Sequence, residues 1–223
     1  MSTTKAILFI ITSFSDMGSG DHTGLWLEEF AVPYLEFTKQ GYDITVASPQ
    51  GGRAPVDPRS QVDAAQQLVW RTALSKLEHT VPVSTVSAED FDAVFIPGGH
   101  GTMFDFPDNP AIGKLLARFA AENKVIASVC HGPAIFSGLK LDDGNYLVSG
   151  KRLTSFTNEE EKSAGYQSKV PFLLESRLRE QGALFVAHPN WADHIEVDGK
   201  LITGQNPQSS RSAAWAVIDA LSH

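Results

Sequence analysis

Short apolar segments recur along the chain, and most of them are near-continuous rather than alternating with polar residues. Runs of this kind are typical of strands in a parallel sheet that helices cover on both faces. We predict that five such segments are buried strands: residues 5–12, 42–47, 93–96, 125–130 and 183–187.

Segments in which apolar positions follow a helical spacing lie between the predicted strands. They predict four helices, over residues 24–39, 109–123, 171–181 and 209–221. Asn109 can cap the second helix and Pro110 suits its first turn, while Gly182 can end the third. Pro33, inside the first helix, predicts a kink or a break.

This alternation predicts an α/β fold, in which helices sandwich a doubly wound, mostly parallel sheet. Asp198-Gly199, between short apolar runs in residues 196–204, predicts a small hairpin near the C-terminus. Residues 49–59 are rich in Gly and Pro and predict a structured surface loop. A length of 223 residues favours one domain over residues 1–223.

Composition and charge narrow the class of protein. There are 18 Lys and Arg against 26 Asp and Glu, which gives a net charge of −8. An acidic chain argues against nucleic acid and anionic membranes as partners. The apolar run over residues 6–11 is too short to span a membrane. Cys130 is the single cysteine, which excludes an internal disulfide and a Cys-rich metal site, and we expect a cytoplasmic protein.

Candidate chemistry lies where predicted strands end, which is where open α/β sheets bind ligands. The fourth strand runs into Cys130, His131, Gly132 and Pro133. This arrangement resembles a nucleophile elbow, and amides at a helix start there would lower the pKa of the thiol. The alternative is that Cys130 is a buried core thiol.

His131 is a candidate base for Cys130, although adjacent strand residues point to opposite faces. A sharp turn can bring the two side chains together, and an acid elsewhere could orient the imidazole. The alternative is a solvent-exposed histidine at a helix start.

The loop that follows the third predicted strand contains Gly98, Gly99, His100 and Gly101. Its exposed N–H groups suit an oxyanion hole that faces Cys130. A phosphate-binding loop is rejected, because no Gly-Lys-Ser/Thr follows and the GxGxxG spacing is absent.

Glu28 and Glu29 lie near the start of the first predicted helix. They differ by about 100° around the helix axis, so only one can face the sheet. Apolar residues flank the pair, and a buried, protonated carboxyl beside Cys130 could act as an acid or a base. The alternative is that both glutamates compensate the helix dipole.

Taken together, these motifs resemble the ThiJ/PfpI superfamily, whose fold is that of the class I glutamine amidotransferases. Further segments are similar to its heat-shock chaperone and glyoxalase III branch. They are Gly24-Leu25-Trp26-Leu27-Glu28-Glu29, Ala47-Ser48-Pro49-Gln50-Gly51-Gly52, Asp105-Phe106-Pro107, Phe156-Thr157-Asn158-Glu159-Glu160-Glu161 and Thr203-Gly204-Gln205-Asn206-Pro207.

The resemblance implies a flavodoxin-like fold, a homodimer and a cofactor-free glyoxalase that converts methylglyoxal, a small reactive aldehyde, to lactate. It places the nucleophile on Cys130, its histidine on His131 and the first-helix glutamate on Glu29. The acid that orients the histidine falls within residues 159–161, and Glu161 fits best.

Oxyanion amides would be those of Gly99 and His131. Trp26 could form a wall of the pocket or be an ordinary core tryptophan. No cofactor is required, and no metal site is expected, because His100, His188 and His194 lie in different predicted loops without ligand spacing.

Other functions fit the same residues. A holdase chaperone would not depend on Cys130, whereas a protein deglycase, a cysteine peptidase or amidase, and a thiol redox sensor would use it. Replacing Cys130 by alanine separates the first of these from the rest.

Overall fold

The computed structural model describes residues 4–18 and 20–223. It contains nine strands in the described part of the chain. They are β1 (Ala6–Ile10), β2 (Asp43–Ser48), β3 (Val81–Pro82), β4 (Ala93–Ile96), β5 (Val125–Val129), β6 (Arg152–Leu153), β7 (Leu184–Phe185), β8 (Ile195–Asp198) and β9 (Leu201–Gly204).

Seven strands form one sheet, in the order β3-β2-β1-β4-β5-β9-β8. All neighbouring pairs are parallel except β8 and β9, which are antiparallel. The mostly parallel sheet is therefore confirmed. Because β1, β4 and β5 are adjacent and parallel, their carboxyl ends meet at the same edge.

Eight α-helices accompany the strands among the residues described. They are α1 (Leu27–Lys39), α2 (Ala64–Val69), α3 (Arg71–Lys76), α4 (Thr102–Asp105), α5 (Pro110–Ala121), α6 (Asn158–Ala164), α7 (Leu174–Glu180) and α8 (Ser210–Ser222). No helix in the described ranges is both long enough and apolar enough to cross a membrane.

The sheet is buried on both faces, as the near-continuous apolar strands predict. On β1, Ile7 and Phe9 belong to a core cluster that includes residues of α1, α3 and α8. Leu8 and Ile10 point the other way, into a cluster that includes residues of α5 and α7. Each face of the sheet thus has its own hydrophobic layer.

The predicted hairpin near the C-terminus is confirmed, because β8 and β9 pair antiparallel on either side of Gly199 and Lys200. Its second strand, β9, is fully buried and also pairs with β5, so the hairpin belongs to the main sheet. The prediction of a core strand over residues 183–187 is wrong. That segment supplies only β7, which pairs with β6 in a separate two-stranded sheet and leaves Leu184 57% exposed.

The first helix begins later than predicted and is not broken. Before Leu27 the backbone is held by other loops, since Leu25 N donates to the Pro55 carbonyl and Trp26 N to the Gly98 carbonyl. The helix continues through Pro33, whose missing N–H removes the bond to the Glu29 carbonyl. Burial of the apolar helix face outweighs this loss.

The ends of two other helices show the predicted capping residues. Asn109 Oδ1 accepts from the amides of Ala111 (3.1 Å) and Ile112 (3.3 Å) at the start of α5. Gly182 follows α7 with φ of 90°, as a C-terminal glycine does. The third helix itself starts at Leu174 rather than at residue 171, and α2, α3, α4 and α6 were not predicted.

Asn109→Ala should lower the free energy of unfolding by about 1 kcal/mol, because two amides lose their side-chain acceptor. Urea unfolding measures the change. Lys114→Ala is the matched control, since Lys114 is exposed on the same helix. Equal losses in both variants would contradict a capping role.

Candidate active site

The loops after β4 and β5 are in direct backbone contact at the carboxyl edge of the sheet. A Cβ atom on Gly98 would lie 2.6 Å from the His131 nitrogen and 2.9 Å from Glu29 Oε2. Only glycine permits this approach, because real Cβ atoms do not come so close to other heavy atoms. The contact brings the glycine loop, Cys130 and α1 to one point.

Cys130 lies directly after β5 in a left-handed conformation, with φ of 58°. Its N–H donates to the Gly204 carbonyl at 2.9 Å, and its carbonyl accepts from Phe156 N at 2.8 Å. A positive φ is uncommon outside glycine, so these bonds hold a strained turn. This geometry is the sharp turn that the strand end predicts.

The turn brings Cys130 and His131 together despite their adjacency in sequence. Cys130 Sγ lies 3.3 Å from His131 Nδ1, and His131 Nε2 lies 2.6 Å from Glu161 Oε2. All three side chains are buried. The structure therefore assembles a Cys–His–Glu chain from β5 and α6.

Helix α6 separates the three consecutive glutamates. Glu160 reaches back to Thr157 N at 3.0 Å, while Thr157 Oγ1 accepts from Glu160 N, which is a capping box. Glu161, about 100° further around the helix, faces the histidine. Glu159 is exposed. The capping box at the start of α6 therefore determines which of the three glutamates faces His131.

Two histidines keep Glu161 ionised. Burial alone would raise its pKa, but His131 and His100 together lower the pKa well below its ordinary value. A carboxylate only accepts hydrogen bonds, so His131 Nε2 must donate to Glu161. In the neutral ring, the lone pair then lies on Nδ1 and faces Cys130 Sγ.

Glu29 is the glutamate that faces the sheet, and Glu28 is exposed. Burial raises the pKa of Glu29 to about 8, although Cys130 and the Gly98 amide oppose the shift. Glu29 Oε2 accepts from Gly98 N at 2.6 Å. The proton of the neutral acid therefore sits on Oε1, which is buried and has no hydrogen-bond partner in the described part of the chain.

The expected low pKa of the Cys130 thiol is wrong. Burial raises the pKa well above its ordinary value, and the Glu29 carboxyl raises it further, while the His131 amide opposes the shift. The segment after the thiol is a 3₁₀-helix of five residues rather than an α-helix. Burial outweighs its amides, so thiolate formation requires a base such as His131 Nδ1.

The residues predicted for an oxyanion hole and a pocket wall lie in the loop after β4 and at the start of α1, and these two segments are joined by the hydrogen bond from Trp26 N to the Gly98 carbonyl. The Gly98 amide already donates to Glu29, so it is not free for an oxyanion. Gly99 has φ of 98° and its carbonyl accepts from Thr102 Oγ1 at 2.9 Å. Trp26 occupies the N-cap position of α1 without a side-chain cap and is partly buried, which fits either a pocket wall or an ordinary core tryptophan.

Sequence reasoning missed two residues that extend the site. His100 Nε2 lies 2.7 Å from Glu161 Oε1, and its Nδ1 lies 3.1 Å from Arg59 Nη2. The position of His100 directly after β4, at the carboxyl edge of the sheet, is the sequence signal that could have indicated its place in the site. Arg59 lies in the Gly- and Pro-rich loop and carries no such signal.

Ligand-type atoms of His100, His131 and Glu161 lie within 4.8 Å of one another, close enough to bind a metal ion. Their hydrogen bonds already occupy both Nε2 atoms and both carboxylate oxygens.

The expected separation of His188 from His194 is wrong, because their rings stack with centroids 3.8 Å apart.

Comparisons with known proteins identify the family and the fold. Residues 23–220 match the DJ-1/PfpI family. The glutathione-independent glyoxalase HSP31 of Saccharomyces cerevisiae is 32% identical, covering 97% of this chain and 98% of that protein. The crystal structure of glyoxalase III from Candida albicans is 30% identical, covers 97% of both chains and has a TM-score of 0.89. Another crystal structure is 49% identical over 99% of both chains, with a TM-score of 0.92.

Glu29→Gln should stabilise the protein increasingly as pH rises. Between the ordinary pKa of 4.5 and the folded pKa of about 8, the fold retains a proton that the unfolded chain has released, so wild-type stability falls with pH. Glutamine does not titrate and can still accept from Gly98 N. The gain at alkaline pH should reach a few kcal/mol, at about 1.4 kcal/mol for each pKa unit.

Thermal melts of wild type, Glu29→Gln and Glu28→Gln at mildly acidic and mildly alkaline pH measure this effect. Glu28→Gln is the matched control: burial raises the pKa of Glu28 as well, but Glu28 is exposed whereas Glu29 is fully buried, so the gain with pH should be smaller for Glu28→Gln. Parallel pH curves for wild type and Glu29→Gln would show that Glu29 is ionised in the fold.

Glu160→Gln should destabilise the protein, because Glu160 holds several segments together through its two carboxylate oxygens. Glu160 Oε1 accepts from Trp191 N (2.9 Å), Gln205 Nε2 (3.1 Å) and Asn206 Nδ2 (2.9 Å). In glutamine, an NH2 group replaces one carboxylate oxygen and would face one of these donors or Thr157 N. The hydrogen bond lost there should lower the free energy of unfolding by about 1–3 kcal/mol. Denaturant unfolding should show this loss for Glu160→Gln and none for Glu159→Gln. No difference between the two would contradict the structural role.

Proposed function

The chain belongs to the DJ-1/PfpI family, and we propose that it is a glutathione-independent glyoxalase that converts methylglyoxal and water to lactate. One observation carries the proposal. The Cys130 thiol has a base at 3.3 Å, His131 Nδ1, and a neighbouring carboxyl, Glu29, that is protonated at neutral pH. A thiol with a base and a separate acid suits addition to an aldehyde followed by proton transfer.

In the first step, His131 Nδ1 takes the thiol proton and Sγ attacks the aldehyde carbon, C1, of methylglyoxal. The carbonyl double bond opens, and Glu29 Oε1 gives its proton to the resulting O1 alkoxide. The product is a hemithioacetal on Cys130. Glu29 is left as a carboxylate and His131 as an imidazolium.

In the second step, the Glu29 carboxylate removes the hydrogen from C1, and electrons move to the ketone oxygen, O2. The imidazolium of His131 protonates O2, which gives an enediol. Glu29 then returns its proton to C2 and recovers one from O1. The result is a lactoyl thioester, and both side chains regain their starting protonation states.

In the last step, His131 Nδ1 deprotonates a water molecule that attacks the thioester carbon. The C–S bond breaks, Sγ recovers the proton, and lactate leaves. Atoms balance, because methylglyoxal plus one water equals lactic acid. Glu161 holds the imidazole in position throughout and, as a carboxylate, stabilises its charged form.

The burial of the thiol favours a small substrate. Cys130 is 3% exposed and His131 is 1% exposed, so a protein chain has little access to Sγ. This argues against the peptidase and protein deglycase alternatives, whose substrates are protein chains. A two-carbon carbonyl unit such as that of methylglyoxal needs far less space. The family resemblance also implies a homodimer, which light scattering of the purified protein tests. The cytoplasmic location expected from the single cysteine stays a prediction.

Cys130→Ser should lower lactate formation at least about a hundredfold, because an alkoxide is much harder to form than a thiolate. The assay is lactate produced from methylglyoxal in the absence of glutathione. Circular dichroism should show an intact fold. A rate equal to that of wild type would remove Cys130 from the mechanism and favour a chaperone function.

A further inference from the structure

The hydrogen-bond chain that starts at the thiol does not end at Glu161. Beyond it lie His100, on Glu161 Oε1 at 2.7 Å, and Arg59, on His100 Nδ1 at 3.1 Å. The His100 and His131 rings are 4.1 Å apart, and His100 is buried. The steps above use neither His100 nor Arg59.

Arg59 determines which nitrogen of His100 carries the proton. A guanidinium has five N–H donors and no acceptor, so His100 Nδ1 must accept from it. The proton of His100 therefore lies on Nε2, which donates to Glu161 Oε1. A doubly protonated His100 would direct an N–H at the guanidinium of Arg59, which is unfavourable. Burial and the neighbouring His131 also lower the pKa of His100 to about 4, so the ring is neutral.

The guanidinium of Arg59 is itself held in place. Its Nε and Nη2 donate to the two carboxylate oxygens of Asp57, at 2.9 and 2.5 Å, and Thr23 Oγ1 donates to Asp57 Oδ2 at 2.9 Å. The ring of Tyr166 lies 4.0 Å from the guanidinium carbon. The ion pair with Asp57 and the contact with the aromatic face of Tyr166 together fix the orientation of the Arg59 guanidinium.

We propose that His100 and Arg59 are positioning residues, which hold His131 in the tautomer whose Nδ1 lone pair faces Cys130. His100 occupies Glu161 Oε1 as a donor, so Oε2 is directed at His131 Nε2–H. Without that donor, buried Oε1 would lack a partner and the carboxylate would turn to satisfy it. The inference rests on the proposed role of Cys130 and deepens it.

Two variants of His100 test the proposal. His100→Phe keeps the ring but removes the donor to Glu161, whereas the amide of His100→Gln can reach the same oxygen and still donate. His100→Phe should lower kcat for lactate formation about 10- to 100-fold, the range found for the partners that orient metal-bound histidines. His100→Gln should recover most of the rate.

Two further measurements do not depend on the substrate. Nitrogen-15 NMR should show His131 protonated at Nε2 in wild type and His100→Gln, and a mixture of tautomers in His100→Phe. Alkylation of Cys130 by iodoacetamide across pH should be slower in His100→Phe and close to wild type in His100→Gln. A purely structural role would change stability but not this pattern.

Unchanged tautomers and alkylation in a folded His100→Phe protein would overturn the proposal. If that variant does not fold, Arg59→Met and Arg59→Lys replace it, since lysine retains a donor for His100 Nδ1 and methionine does not. The proposal then expects altered His100 and His131 signals in the methionine variant alone. A wild type that makes no lactate would refute the proposed activity, while NMR and alkylation would still decide the tautomer.

Discussion

Exclusion of water from the carboxyl edge of the sheet is the constraint on which the site depends. In a buried site a charge survives only where hydrogen bonds or opposite charges compensate its lost hydration. Glu161 stays ionised because two histidines donate to it, whereas Glu29, with one amide donor, is held neutral with a pKa of about 8. The same burial keeps Cys130 a thiol at rest. An acid, a base and a nucleophile thus coexist without being charged at once.

The fold provides this exclusion by covering both faces of a parallel sheet. Two hydrophobic layers fix β4 and β5 side by side, and the loops that follow them touch through Gly98. The positive φ of Cys130 persists because bonds from β9 and from the loop before α6 hold its amide and carbonyl. Stability elsewhere therefore supports a local conformation that the residue would not adopt alone.

Two neighbouring carboxylates show how strongly local geometry decides a role. Glu160 turns back to Thr157 and accepts four hydrogen bonds, three of them from the segments around Trp191 and Asn206. Glu161 turns towards the histidines. Because Glu160 also anchors the chain that follows β7, the structural and the reactive glutamate are coupled through one helix start. Activity and stability should therefore be measured together in any variant of α6.

The sequence by itself determined the alternating architecture, the buried strands on either side of the site, the caps of α5 and α7, and the strand end that carries Cys130. These features are local, because periodicity and capping depend on residues within a few positions of each other. It also indicated a buried glutamate at residue 28 or 29, whereas the choice of Glu29 and the role of Glu161 came only from a family resemblance. Tertiary structure alone decided that β9 lies inside the sheet and β7 outside it, that burial raises the thiol pKa, and that His100 and Arg59 join the chain to His131. Those outcomes depend on contacts between residues 30 to 100 positions apart, and on desolvation that only the assembled fold creates.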